Sequence, residues 1–266
     1  EIPPDSLTTV VSPSVTGANL PPATGPGTST RPWRFLAGAV NDPIVGVVES
    51  EGYVDFLGDL LRGPNIANAT PDQLNAELRL RPTYLHGDTT ASIQFSVFEL
   101  QNEAEMGAAP ADTTFAVERQ LVSAQTVNPT DSIVTIPLPD SWVEDPDHLT
   151  AIQSDTSFQD RINGFKIAAT QAPSSADRQA VVGFSHTTAR LRVFTEEDTV
   201  DFRALKSFSH VERRGTPDAT LEDRLALVDG VGTSLFMEWD YDRPLFTDSL
   251  RNTPLNQADI SVPIDT

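Results

Sequence analysis

Cysteine is absent from this chain of 266 residues. Its absence excludes disulfides, thiolate zinc sites, iron–sulfur clusters and cysteine nucleophiles. Lysine is almost absent too, with Lys166 and Lys206 as its two occurrences, and no stretch approaches the ~20 apolar residues that a membrane-spanning helix needs. We therefore predict a protein without a membrane span, whose fold depends on packing.

Basic residues are scarce beside acidic ones, with 18 Lys and Arg against 38 Asp and Glu and a net charge of −20 at pH 7. Because nucleic-acid binding neutralises phosphates with clustered Lys and Arg, we predict no nucleic-acid partner. An Asp-rich, Lys-poor surface is typical of a salty habitat, where salt screens the repulsion between carboxylates. The alternative to this halophile-like interpretation is a GC-rich genome that favours Arg codons.

The charge gives a first testable prediction. We expect the melting temperature to rise as sodium chloride increases from low to molar concentration, because screening relieves the repulsion between carboxylates. Replacing several exposed Asp residues with Asn should flatten that rise. A melting temperature that ignores salt in the parent protein would contradict the halophile-like interpretation.

Proline is distributed unevenly along the chain. Seven of its 21 prolines fall in residues 1–32, among Ser, Thr and Gly, and such a segment cannot build its own core. We predict an extended arm over 1–32 and a β-sandwich domain over 33–266; the alternative for the C-terminal strand is that it serves another sheet. The chain opens on Glu1 without Met, which we interpret as the processed N-terminus of a secreted or cell-surface protein, although a trimmed chain would look the same.

Short apolar runs separated by turn residues fill the chain after residue 32. This pattern predicts an all-β fold, an antiparallel β-sandwich of the jelly-roll kind. The runs lie at 35–40, 53–57, 76–80, 93–100, 133–138, 165–169, 180–184, 191–194, 235–241 and 260–264.

Strict alternation of apolar and polar residues marks several of these runs as half-buried strands. Residues 76–80 and 93–97 both alternate, and a turn at 86–88 lies between them, so we predict that they are antiparallel neighbours. Helix is predicted only in short pieces, at 71–74 and between 140 and 149.

Gly38, the triplet Asn41-Asp42-Pro43 and Gly46 form a spaced motif. An Asx-Pro triplet favours a tight turn, and a calcium ligand at Asp42 is the alternative. The motif lies in FLAGAVNDPIVGVVESEGYVDFL at 35–57, which is followed by AELRLRPTYLHGDTTASIQFSVFEL, IVTIPLPDSW, INGFKIAAT and TARLRVFT. This order resembles the Bacteroidota secreted family known as domain of unknown function 4270. The resemblance implies an outer-surface protein with a jelly-roll-like sandwich and no established catalytic residues.

One aromatic strand is a candidate for ligand binding. Alternation would place Trp239 and Tyr241 on one face and Glu238 and Asp240 on the other. Aromatic rings beside carboxylates suit a sugar-binding surface. The alternative is that the two rings continue the core face of the same strand.

The acidic loop around Asp145 and Asp147 is a candidate calcium site, since Ca²⁺ needs 6–8 oxygen ligands and accepts irregular loops. The loop lacks the spacing of an EF-hand. The alternative is a solvated loop, and our prediction is either no cofactor or Ca²⁺ at this loop.

No catalytic motif is present: the four histidines form no H-E-x-x-H arrangement, and there is no G-x-S-x-G. We predict a non-enzymatic surface-recognition protein whose partner is a glycan or a surface protein. The alternative is a structural subunit of a surface filament or outer-membrane assembly, a homo-oligomer held by exchanged terminal strands. Ile260, Val262 and Ile264 would form the apolar face of the donated strand. A glycoside-active enzyme is a third hypothesis.

Overall fold

The computed structural model describes residues 14–19, 34–42, 46–58, 62–88, 90, 92–102, 106, 113–154, 158–170, 180–214 and 233–238. The chain divides into two compact units, Leu20–Thr233 and a smaller one of Glu1–Asn19 with Ser234–Thr266. In the smaller unit, β1 (Ser14–Asn19) pairs with β13 (Thr233–Glu238) in a two-stranded sheet. Part of the proline-rich N-terminal segment is therefore a strand that pairs with a C-terminal strand of the same chain.

The larger unit contains eleven described strands, all in antiparallel pairs, which confirms the predicted all-β fold. They are β2 (Arg34–Asp42), β3 (Gly46–Leu57), β4 (Asn75–Leu80), β5 (Pro82–Gly87), β6 (Ile93–Leu100), β7 (Val117–Val127), β8 (Val134–Pro137), β9 (Phe165–Ala169), β10 (Ala180–Ser185), β11 (Arg190–Phe194) and β12 (Thr199–Arg214).

The sheet branches at β3. One edge of β3 pairs with β12, while its other edge pairs first with β2, over Gly46–Ser50, and then with β9, over Gly52–Val54. Strands β10 and β5 follow β2 on one branch, and β6 and β7 follow β9 on the other. Beyond β12 the sheet continues through β11 and β4 to β8.

Buried side chains of both branches contribute to the main core. The ring of Phe184 on β10 lies 5.7 Å from that of Phe35 on β2, in the same branch, and 5.9 Å from that of Phe95 on β6, so one aromatic contact joins the two branches. All three side chains are fully buried. Rings at these separations add packing energy to the apolar area that they bury, so they fix how the layers of the sandwich meet.

Short helices cover one part of this core. They are α1 (Pro64–Ala67), a 3-10 helix at Pro71–Gln73, α2 (Asp140–Val143), α3 (Pro146–Gln153) and α4 (Phe158–Arg161). Phe158 of α4 stacks on Phe202 of β12 at 4.4 Å. Within the described part of the chain, no helix is long and apolar enough to cross a membrane.

The predicted pairing of residues 76–80 with 93–97 is wrong. Both segments are strands with the expected buried faces, but β4 pairs with β8 and β11, whereas β6 pairs with β7 and β9. Between them β5 pairs with β10 instead. Alternation specifies which face of a strand is buried, but the backbone groups at its edges accept any neighbour, so it does not specify the partner.

Candidate functional site

The predicted site residues fall into two groups. Asp145 and Asp147 belong to the described part of the chain, and Glu238 is the last residue of β13. The other predicted ligand-binding and assembly residues lie outside the described residues: Trp239, Asp240, Tyr241, Ile260, Val262 and Ile264. The hypotheses that rest on those six residues stay predictions.

Asp145 and Asp147 lie at the start of α3, where protein groups engage both carboxylates. Asp145 caps the helix by accepting a hydrogen bond from the backbone N–H of Asp147 at 3.0 Å. The Asp147 carboxylate forms an ion pair with Arg161 of α4. Among the residues that the structure describes, no group of three or more His, Cys, Asp or Glu side chains could hold a metal ion. Calcium binding at this loop stays a prediction.

A buried cluster of ionisable groups lies where β6 and β7 meet the helices. Glu99 of β6 is 2% exposed and His148 of α3 is 5% exposed. One Glu99 oxygen, Oε1, accepts from His148 Nε2 at 2.7 Å and from Trp142 Nε1 at 3.3 Å. The other, Oε2, accepts from Arg119 Nε at 2.8 Å. Three donors therefore converge on one buried carboxylate, as its desolvation requires.

The hydrogen bonds of His148 require a charged ring. Its Nε2 faces the Glu99 carboxylate, and its Nδ1 lies 2.8 Å from the carbonyl oxygen of Trp142. Both acceptors need a proton on the nitrogen, which makes the ring an imidazolium. Burial opposes that charge, but the hydrogen bond and charge of Glu99 outweigh burial and raise the pKa of His148 above its ordinary 6.5. Burial likewise opposes ionisation of Glu99, whose pKa His148 and Arg119 hold below its ordinary 4.5.

These opposite shifts predict how the pair stabilises the fold at each pH. The raised pKa of His148 means that its contribution is complete below pH 6.5 and is lost as pH rises through the folded value. The lowered pKa of Glu99 means that its contribution is complete above pH 4.5 and is lost as pH falls through the folded value. We expect the urea midpoint of the parent minus that of His148→Gln to be largest between pH 4.5 and 6.5. Subtraction cancels the titration of the other carboxylates, and a difference independent of pH would contradict the assignment.

A second cluster joins β3 to β9. The hydroxyl of Tyr53 donates to Glu51 Oε2 at 2.7 Å, and Lys166 Nζ lies 2.6 Å from Glu51 Oε1. Burial, followed by the hydrogen bond to Glu51, raises the pKa of the Tyr53 hydroxyl far above its ordinary 10.0. A phenol held in its protonated form is a poor nucleophile at neutral pH. Like the Glu99 cluster, this one engages its charged groups with each other and links strands.

A row of arginines crosses the outward face of the sheet, with Arg203 exposed and Arg79 and Arg190 half-buried. On β4, β11 and β12, the residues Arg79, Arg190 and Arg203 occupy directly paired positions, with Arg190 in the middle. Their neighbours along each strand, such as Leu78 and Leu191, are fully buried, so the three arginines point away from the core. We call these three residues the arginine row.

The adjacent row on the same face is balanced in charge. Glu77, Arg192 and Asp201 occupy its three paired positions. Arg192 makes two hydrogen bonds to Asp201, from Nε to Oδ1 at 2.7 Å and from an Nη atom to Oδ2 at 3.0 Å. This bond, helped by the charges of Arg192, Arg79 and Arg190, holds the pKa of the Asp201 carboxyl below its ordinary value. Together the two rows carry four positive and two negative side chains, in a chain whose net charge is −20.

The arginine row has few partners within the part of the chain that the structure describes. Arg79 Nε approaches Glu77 Oε1 at 3.9 Å, and Arg190 donates to the backbone oxygens of Thr187 and Ala189. Arg203 is exposed, and its side chain makes no hydrogen bond or ion pair with the described residues. Like charges at directly opposed positions of an antiparallel pair are destabilising. The row is thus a positive surface with unused donors.

Sequence analysis did not find this row. The alternation at 76–80 and 189–193 already placed Arg79 and Arg190 on outward faces. Nothing in the sequence places β4 beside β11, because the two segments are about 110 residues apart. The one signal in the sequence was the scarcity of Lys and Arg, because an outward-facing arginine is unusual in so acidic a chain and therefore a candidate for binding.

The fold defines the chain as an antiparallel β-sandwich protein. Neither a family model, nor a curated protein, nor a solved structure matches it. The resemblance to domain of unknown function 4270 therefore stays a prediction, and function has to be argued from the residues.

Proposed function

We propose that this chain is a non-enzymatic β-sandwich of a secreted or cell-surface protein, and that it binds a surface glycan or a surface protein. The observation that carries the proposal is the arginine row, three arginines at directly paired positions on the outward face of the sheet. Guanidinium groups recognise carboxylates and phosphates through paired hydrogen bonds. In an acidic chain with 18 basic residues, such a concentration of positive charge favours recognition of an anionic partner.

The two buried clusters support a non-enzymatic role. Their ionisable groups satisfy each other across strands and helices, and they have the geometry of ion pairs that hold layers together. The acidic composition and the resemblance to an outer-surface family support the proposed location. A binding surface on rigid paired strands also needs no moving part.

Binding to arrayed glycans and to cell-surface extracts, with the purified full chain labelled, tests this proposal. We expect retention of an anionic partner at about 0.1 M salt and weaker retention near 1 M, where the screening length falls from about 10 Å to 3 Å. Matched assays on standard esterase and glycosidase substrates should give no turnover. Turnover, or binding to neither array nor extract, would contradict the proposal.

A second candidate function, a structural subunit held by exchanged strands, is favoured by the edge of β7. This strand has 11 residues and pairs with β6 alone among the described strands. Its stretch from Gln120 to Val127 contains no charged residue and no proline. A long, uncharged edge offers unpaired backbone groups to a strand from another chain.

Size-exclusion chromatography at high protein concentration and high salt separates the two functions. The structural hypothesis predicts assembly that is weakened by deleting residues 1–31 or 256–266 and by Ala124→Lys, because lysine on an edge opposes strand addition. Gln94→Lys, at an exposed position of β6, which is paired on both edges, is the matched control. Circular dichroism checks that each protein is folded. A folded full-length protein that stays monomeric would contradict this second function.

A further inference from the structure

The spacing and chemistry of the arginine row narrow the class of partner. Neighbouring strands in a sheet lie about 4.8 Å apart, so the three arginine backbones follow a straight line across roughly 10 Å. The row lies on the outward face of paired strands, where Arg203 is exposed and Arg79 and Arg190 are half-buried, whereas small ligands bind in concave sites that enclose them. A straight row on an open face suits an extended chain that bears one anionic group after another.

The three arginines differ in how firmly they are held. Arg190, in the middle, is fixed by two hydrogen bonds from one Nη atom, 2.9 Å to the Thr187 oxygen and 2.7 Å to the Ala189 oxygen. The second Nη atom and the Nε atom of Arg190 take no part in those two hydrogen bonds. Arg203 contributes a whole guanidinium with no partner among the described residues. Because Arg190 is already held in place, its side chain loses less conformational entropy when a partner binds.

We propose that the arginine row binds a carboxylate-bearing polysaccharide that lies across β4, β11 and β12. This inference rests on the proposed recognition function and names its partner. The carboxylates would accept hydrogen bonds from the guanidinium groups, each of which presents five N–H donors in a fixed plane. They would also relieve the repulsion between the three opposed cations.

The groups around the row fit a sugar chain. Thr135 of β8 pairs with Arg79 and is exposed, so a hydroxyl lies at one end of the row. Along one side lie Glu77 and Asp201, whose carboxylate oxygens would be acceptors for sugar hydroxyls, those of Asp201 beside the hydrogen bonds that they already accept from Arg192. An acidic polysaccharide carries both chemistries, anions for the arginines and hydroxyls for the row beside them. Nucleic acid carries denser charge, which a chain of net charge −20 repels.

Calorimetric titration with a hexamer of galacturonic acid tests the inference on the full chain. We expect binding at about 0.1 M salt that is at least about tenfold weaker in Arg190→Gln and in Arg203→Gln, since each removes charge-assisted hydrogen bonds. Arg34→Gln is the matched control, because Arg34 is an exposed arginine on β2 whose guanidinium lies over the Tyr84 ring. It should bind like the parent. We expect the Arg203→Gln protein to keep the parent fold, and circular dichroism checks this.

Parallel titrations with polyglutamate and with a neutral glucose hexamer separate the outcomes. Tighter binding of polyglutamate would identify an acidic protein segment as the partner and overturn the inference. Binding of the neutral hexamer, unaffected by Arg203→Gln, would also overturn it but would leave surface recognition intact. A chain that binds none of these probes, and no arrayed glycan or surface protein, would overturn both the inference and the proposed function.

Discussion

Replacing Glu99 with alanine is expected to lower the free energy of unfolding by about 3 kcal/mol. The substitution leaves the His148 ring buried without its counter-ion and removes the acceptor of Trp142 Nε1 and Arg119 Nε. Breaking a buried ion pair from one side costs roughly 3–5 kcal/mol. We expect the lower end of that range, because the Arg119 side chain is 36% exposed and can turn to water.

Urea unfolding followed by circular dichroism measures this effect. Glu77→Ala is the control, since Glu77 is a carboxylate on the outer sheet face whose nearest guanidinium contacts are 3.9 and 4.0 Å. Partly exposed pairs contribute about 0–1 kcal/mol, so its midpoint should move little. Equal shifts for the two variants would show that the Glu99 cluster does not stabilise the fold as we describe.

Replacing Gly38 with alanine is expected to cost about 4 kcal/mol, because two penalties combine. Gly38 has φ of +129°, a conformation that side chains rarely adopt. A Cβ there would also lie 2.3 Å from the backbone oxygen of Ala180, on the strand to which β2 is paired. Backbone in a paired strand cannot move aside, so the change separates β2 from β10.

Gly63→Ala provides the matched control. A Cβ at Gly63 would meet the Asp198 carboxylate, the end of a flexible side chain, and the φ of Gly63 is −65°. The neighbour can rotate away, and we expect a loss of about 1 kcal/mol or less. Thermal unfolding of both variants decides the matter: a Gly38→Ala protein as stable as the Gly63→Ala protein would contradict the assigned role of Gly38.

The motif that contains Gly38 illustrates what sequence and structure each contribute. Its Asx-Pro triplet predicted a turn; Asn41 and Asp42 end β2, Asp42 pairs with Gly46 of β3, and residues 43–45 lie outside the described residues. The glycine itself is needed for another reason, the close approach of β10, whose Val181 is its paired residue. No local pattern contains that information, since residues 38 and 181 meet only when the chain folds.

The sequence by itself determined the elements and their buried faces. Ala76, Leu78 and Leu80 of β4 are buried, as alternation predicted, and the helices stay short. These properties are local, because a strand repeats every two residues and a chain that alternates buries the same face wherever it packs. The lack of disulfides likewise follows from composition alone, because the chain contains no cysteine.

The tertiary structure decided which strands became neighbours and, with them, every candidate site in the described residues. The branching at β3, the three donors on Glu99 and the alignment of Arg190 with Arg79 and Arg203 all join segments far apart in sequence. Backbone hydrogen bonds at strand edges are chemically alike, so pairing is selected by the packing of the whole core. Which charged side chains lie next to each other is a consequence of that choice of strand partners.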